Sequence, residues 1–318
     1  MEVQFWGTRG SLPASITEED IRIKVKTALE IANEKGLGTD ISIDAFIDNE
    51  LPFWVRGTYG TNTPCVEIRD GDDVILFDAG SGLRDFGNHF LKTHGFTSPR
   101  RFHIVLSHIH WDHIQGFPFF VPIYLEGTQI TLYGCHPELK KAFSTQQSIP
   151  LFPVELKDLA AEVGFEILFP GEWQEIAGFR VLAKEQNHPG RSFGYRIEKD
   201  GKTIVYSTDS EHKNESEKDL KPFVEFSREA DLLIFDAQYT LADSWTVKED
   251  WGHSNNVIGI ELAQKAGAKH LCLFHQDPVL KDDALDKLLR DSRKLASLLH
   301  EGSPVEVTVA RDGMVIEV

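Results

Sequence analysis

Cysteine is scarce and unpaired in this chain: Cys65, Cys135 and Cys272 stand alone, in apolar or turn contexts and at no motif spacing. An odd count of isolated thiols argues against a disulfide framework and fits reduced, mostly buried side chains. No apolar run approaches the roughly 20 residues needed to cross a bilayer. The start, Met1-Glu2-Val3-Gln4-Phe5-Trp6, reads as a strand and lacks the basic opening and apolar stretch of a signal peptide. These absences point to a cytoplasmic protein with no membrane partner. Positive charge is also short, with 33 basic residues against 50 acidic ones and a net charge of −17. A polyanion is repelled by such a surface, which argues against a large nucleic-acid partner. A small anion is exempt wherever divalent ions make a site locally positive. Repeats, low-complexity tracts and long Pro/Gly/Ser linkers are missing as well. The 318 residues are therefore read as one domain, 1–318, large enough for a substantial core.

Short apolar runs recur, and several end in a polar residue of ligand type. Val74-Ile75-Leu76-Phe77 runs into Asp78, and Ile104-Val105-Leu106 into Ser107-His108. Thr203–Thr208 ends at Asp209, Leu232–Phe235 at Asp236, and Leu271–Phe274 at His275. Their length and β-branched or aromatic content predict strands, and the amphipathic patterns over Asn256–Ala266 and Asp283–Leu299 predict helices. Strands alternating with helices indicate a layered α/β domain whose chemistry gathers at strand ends. One segment, 15–56, breaks the rhythm. It opens with a charged helix from about Ser15 to Gly36, capped near Thr17, and continues through Ile41, Ile43, Phe46 and Ile47 to Leu51-Pro52-Phe53-Trp54. It is read as an insertion serving as a lid, a homodimer surface or a decoration on the sheet edge.

The densest signal is Ser107-His108-Ile109-His110-Trp111-Asp112-His113, with three histidines and a carboxylate within six residues. Neutral imidazole and carboxylate are the ligands that borderline metals such as Zn²⁺ prefer, and they also suit Mn²⁺ and Fe²⁺. His108 and His110, two apart on an extended chain, point to the same side, while Asp112 and His113 follow at a turn. One loop can thus serve two adjacent ions.

This cluster resembles the signature of the metallo-β-lactamase-fold hydrolases, and further landmarks appear in that family's order. They are Asp78 in Asp-Ala-Gly-Ser-Gly, His188 in Asn-His-Pro-Gly, Asp209 in Ser-Thr-Asp, and His275 after Phe274. The resemblance implies a four-layer αββα sandwich, α/β in class, with two divalent metals, Zn²⁺ first. By the same carry-over, one metal takes His108, His110 and His188. The second takes Asp112, His113 and His275, and Asp209 bridges the two. A water shared by such ions loses its proton near neutral pH and serves as nucleophile.

Trp251-Gly252-His253-Ser254 is similar to an element of the phosphodiesterase branch, which includes RNase Z and cyclic-nucleotide phosphodiesterases. There the extra histidine contacts phosphate or helps the leaving oxygen, a role that suits an imidazolium. Asp236 is placed to orient His253 through its other ring nitrogen, and His253 capping the next helix is the structural alternative. Asp112, His253 and Asp236 are read as catalytic. Within the branch, RNase Z fits less well: no basic, Gly/Pro-rich arm lies between His113 and His188. The expected activity is hydrolysis of a small or cyclic phosphodiester, such as a cyclic nucleotide. Hydrolysis of a thioester, lactone or β-lactam at the same centre is the second reading, and a metal-stabilised sensor or binding module the third. Phe117–Tyr124 reads as core before it reads as a nucleobase platform. Arg191 reads equally as a phosphate ligand or an exposed loop residue.

Overall fold

The computed structural model describes residues 1–36, 42–96, 100–212, 217–239, 250–299 and 304–318; Ile41 lies outside them. Among these residues the strands form two sheets of seven. The first contains β1 (Glu2–Gly7), β2 (Cys65–Asp70), β3 (Asp73–Phe77), β4 (Arg100–Leu106), β5 (Thr128–Gly134) and β6 (Glu162–Ile167). The second contains β7 (Trp173–Ile176), β8 (Phe179–Gln186), β9 (Ser192–Lys199), β10 (Lys202–Ser207), β11 (Leu232–Asp236), β12 (His270–Phe274) and β13 (Glu306–Val309). The last strand, β14 (Val315–Glu317), returns to the first sheet and pairs antiparallel with β1. Both sheets follow one plan, an antiparallel meander that gives way to parallel strands: β3 through β6 in one, β10 through β13 in the other.

The sheets face each other across an aromatic core. Phe77 of β3 meets Tyr195 and Tyr206 at centroid distances of 5.6 and 5.4 Å, and Phe274 meets Tyr206 and Phe5 at 5.7 and 6.0 Å. Burying such rings supplies much of the driving force for closing the sandwich. Phe77 is fully buried within this stack. Phe77→Ala is expected to lower stability by about 3–5 kcal/mol, through lost transfer energy and the cavity left behind, as read by urea denaturation.

Helices cover the outer faces. Segment 15–56 carries α1 (Glu18–Lys35), α2 (Ile43–Glu50) and α3 (Phe53–Arg56). The first sheet packs its outer face against α4 (Gly82–His94), α5 (Trp111–Ile114) and α6 (Leu139–Gln146). The second packs against α7 (Glu217–Phe226), α8 (Asn256–Ala266) and α9 (Asp282–Leu299). The four-layer α/β/β/α arrangement expected from the sequence is the one observed.

Helix α1 opens with a reciprocal cap between Thr17 and Asp20, as the sequence predicts, yet none of its residues is buried. Segment 15–56 is held by a small cluster of Phe46, Leu51 and Val55 and by Lys24. Lys24 Nζ donates to Gly57 O at 2.7 Å and to Asp282 Oδ2 at 2.6 Å, tying α1 to the start of α9.

Candidate metal centre

The site is built where strands end. Asp78 follows β3, Ser107-His108 follow β4, Asp209 lies just past β10, Asp236 ends β11 and His275 follows β12. Three of these carry left-handed backbone, with φ of +62° at Asp78, +49° at Asp209 and +61° at His275. Each such residue costs of order 1–2 kcal/mol, a strain that characteristically marks functional loops. Asp78 is wholly buried and holds the base of the histidine loop. Its carboxylate accepts from Ser107 N and Oγ at 2.8 and 2.9 Å, from Tyr206 OH at 2.7 Å and from His113 Nδ1 at 2.8 Å.

Four donor atoms gather into one cage around the paired nitrogens of His113 and His275. Asp112 Oδ2 lies 3.4 Å from His113 Nε2 and 3.3 Å from His275 Nε2, and the two nitrogens are 3.2 Å apart. Asp209 Oδ1 completes it, at 3.3 Å from each nitrogen. Ligand atoms about 2.0–2.1 Å from a tetrahedral ion stand about 3.4 Å apart, and each of these five separations is close to that length.

A second group, His108, His110 and His188, converges beside the first. His110 Nδ1 and His188 Nε2 are 3.1 Å apart, and the other carboxylate oxygen, Asp209 Oδ2, is 3.7 Å from His108 Nε2 and 3.8 Å from His188 Nε2. Asp209 therefore turns one oxygen to each group. His108 Nε2 is buried with no hydrogen-bond partner among the described residues, an orphan that a cation at this point would satisfy.

At His108 and Asp209 the electrostatics suit ligation. Burial, reinforced by the neighbouring imidazoles, pushes the His108 pKa well below its usual value, which leaves the neutral, coordinating form. Burial works to raise the pKa of Asp209, but His275, His113 and His108 outweigh it and hold the carboxyl ionised well below its ordinary range.

The outer ring nitrogens of three of these histidines are engaged. His113 Nδ1 is held by Asp78, His188 Nδ1 donates to Gly252 O at 2.8 Å, and His275 Nδ1 meets Gln238 Oε1 at 2.9 Å. Such partners fix tautomer and ring orientation. Gly252 has φ of +88°, and a Cβ there would come within 2.2 Å of His188 Nδ1, so this close approach requires glycine.

His253 sits over the rim, its ring 5.2 Å from that of His275 and 5.1 Å from that of His188. Its Nδ1 lies 2.9 Å from Asp236 Oδ2. Burial opposes a charged His253, but Asp236, through charge and hydrogen bond, and then Asp209 and Asp112 override it and lift the pKa to about 9. His253 does not cap the helix after it. Asn255 does, its side chain accepting from Val257 N and Ile258 N.

Other residues fall into place more plainly. Arg191 is exposed and spends its guanidinium on Glu185, at 2.8 and 2.9 Å. Phe117, Phe120 and Ile123 are core, whereas Phe119 is 57% exposed. Trp111 and Trp251, chain neighbours of Asp112 and Gly252, are each 57% exposed beside the site. Sequence reasoning missed Ser107, Tyr206, Gln238 and Ser11, all in direct contact with the clustered carboxylates or imidazoles. The one available signal was spacing: Gln238 stands two residues beyond Asp236, on the same side of an extended chain.

With this geometry in view, the similarity to known proteins is informative. Residues 74–276 match the family described as "Beta-lactamase superfamily domain". The chain is 24% identical over 279 residues to the ribonuclease Z of Pyrococcus furiosus, a match covering 70% of this chain and 83% of that protein. The metallo-beta-lactamase fold protein YhfI from Bacillus subtilis superposes with a TM-score of 0.63 at 18% identity, covering 100% of this chain and 99% of the other. A diphosphatase of the PhnP family superposes with a TM-score of 0.61 at 18% identity, covering 100% and 97%. At such identities the two structures speak for the fold alone.

Proposed function

The chain belongs to the beta-lactamase superfamily, and from that premise we propose that it is a dinuclear metal-dependent phosphodiesterase acting on a small or cyclic phosphodiester. In this reading His108, His110 and His188 would hold one ion and Asp112, His113 and His275 the other, with Asp209 offering one oxygen to each. The imidazole and carboxylate donors favour Zn²⁺ and accept Mn²⁺ or Fe²⁺. Bound there, the ions supply a nucleophile at neutral pH and neutralise charge that develops on the substrate oxygens.

The observation that carries the choice of phosphorus is the His253–Asp236 pair at 2.9 Å, leaning over both groups of ligands. With Nδ1 committed to Asp236, His253 keeps Nε2 for a substrate oxygen. In-line displacement at phosphorus expels an alkoxide that needs a proton, and an imidazolium held by a buried carboxylate donates one. Asp236 can hold this position because Ser210 N and Gln238 N also donate to its carboxylate, at 3.1 and 3.0 Å. The exposed indoles of Trp111 and Trp251 offer apolar faces to the organic part of a small substrate. The name of the sequence relative, a ribonuclease, also denotes hydrolysis at phosphorus. A net charge of −17 supports a small substrate over tRNA.

The test is a panel containing a cyclic nucleotide, bis(4-nitrophenyl) phosphate, a precursor tRNA, a thioester and a β-lactam, assayed on the metal-loaded protein. The small diesters are expected to be opened to monoesters fastest. Faster turnover of the thioester or lactam would overturn the choice of phosphorus. Preferred cleavage of the precursor tRNA would overturn the small substrate.

A further inference from the structure

We infer that Gln238 and Ser11 form a clamp that positions Asp112 and His275, and so sets the affinity of that cage for its ion; the inference rests on the dimetal reading above. The amide of Gln238 reaches both ways. Its Oε1 lies 2.9 Å from His275 Nδ1, and its Nε2 donates to Ser11 Oγ at 3.0 Å. The backbone N–H of Ser11 in turn donates to Asp112 Oδ2 at 2.8 Å. The direction of these bonds is self-consistent. His275 turns Nε2 toward Asp112 and Asp209, so Nδ1 carries the proton and needs the carbonyl oxygen of the amide.

The loop that delivers Ser11 is built for this approach. Ser11 has φ of +61°, and a Cβ on Gly10 would come within 2.5 Å of His275 Nδ1 and 2.8 Å of Gln238 Oε1. Gly10 N donates to Gln276 O at 2.9 Å, which joins the loop to the residue after His275. The buried Arg9 side chain anchors the loop from below, donating to Gly60 O at 2.8 Å and Leu280 O at 2.9 Å.

The clamp also makes the cage asymmetric. His113 is backed by a carboxylate, Asp78, and His275 by a neutral amide. A carboxylate partner raises the basicity of a ligating imidazole more than an amide does. Gln238 is therefore a positioning residue that orients His275 without placing a charge behind it.

Metal equivalents measured by atomic emission after competition with a graded chelator provide the test, with the visible spectrum of the Co²⁺-substituted protein as a second readout. Gln238→Leu is expected to weaken one of the two equivalents by about 10- to 100-fold and leave the other unchanged. Gln238→Glu is expected to restore that equivalent to wild-type affinity or better. Ser11→Ala keeps its backbone N–H and is expected to show a smaller loss than Gln238→Leu. Wild-type affinity for both equivalents in Gln238→Leu would overturn the clamp alone. Equal weakening of both equivalents in Gln238→Leu and Gln238→Glu would reduce Gln238 to a general structural part and overturn it too. Fewer than two equivalents in the wild-type protein would overturn the dimetal reading, and the clamp with it.

Discussion

Replacing Asp209 by alanine is expected to reduce the bound metal from two equivalents to about one and to lower phosphodiester turnover by about 10³-fold or more, some 4 kcal/mol of transition-state stabilisation. The size of the effect follows from its placement. Asp209 is 2% exposed, and each of its oxygens faces a different ligand group, Oδ1 toward His113 and His275 and Oδ2 toward His108 and His188. Among the described residues no neighbouring carboxylate can take over both contacts, because Asp112 lies on one side only and Asp236 is committed to His253. Alanine also removes the anion around which the buried imidazoles gather, so two cations placed close together would face each other with less negative charge between them. Asp209→Asn is a sharper probe. Its amide keeps one oxygen for one group but presents N–H to the other, so one equivalent is expected to remain tight. Metal analysis and a diester assay on the same preparations check both variants. Full metal content together with full turnover in Asp209→Ala would remove the bridge from the mechanism.

Legibility in the sequence followed residue chemistry. The parallel strands β3, β4, β10, β11 and β12 were readable because each is a continuous apolar run ending in Asp, Ser-His or His, and both sides of such a strand are buried. The converging donors were readable for the same reason: histidine and aspartate at strand ends have few structural uses. The two sheets' common plan was not readable, since it lies in pairing order rather than in repeated residues. β6 and β7 carry mostly exposed or half-exposed residues and show no apolar run, and β14 finds β1 across nearly the whole chain. The pattern over Asp283–Leu299 predicted α9 to within one residue, but it overstated the buried face, for Leu298 is 71% exposed and Leu299 43%. The supporting shell was hidden by ordinary residue types. Tyr206 sits in an apolar strand, and only the fold reveals its hydroxyl on Asp78. Ser11 acts through its backbone, which no side-chain pattern records.

His253→Ala is expected to keep both metal equivalents and to slow hydrolysis of a cyclic nucleotide or other alkyl diester by about 10²- to 10⁴-fold, mainly in kcat. Its ring meets His188 and His275 through edge and stacking contacts, and its Nδ1 comes to 3.8 Å from Asp209 Oδ2, while the cage edges and the orienting bonds of His188 and His275 are made by other residues and stay in place when it is deleted. The informative comparison is between leaving groups. A nitrophenolate departs without a proton, so bis(4-nitrophenyl) phosphate is expected to lose only about 10-fold or less, because a missing general acid matters in proportion to the leaving group's need for it. Asp236→Asn is expected to fall between the wild-type protein and His253→Ala. The amide oxygen can still accept from His253 Nδ1, but the charge that favours the imidazolium is gone, and Ser210 N and Gln238 N lose part of their acceptor. A uniform loss on both kinds of diester would instead assign His253 to binding the phosphoryl oxygens, with its effect appearing in KM as well as kcat. Unchanged rates on the alkyl diester would remove His253 from the chemistry, and with it the observation that favours phosphorus over a carbonyl substrate.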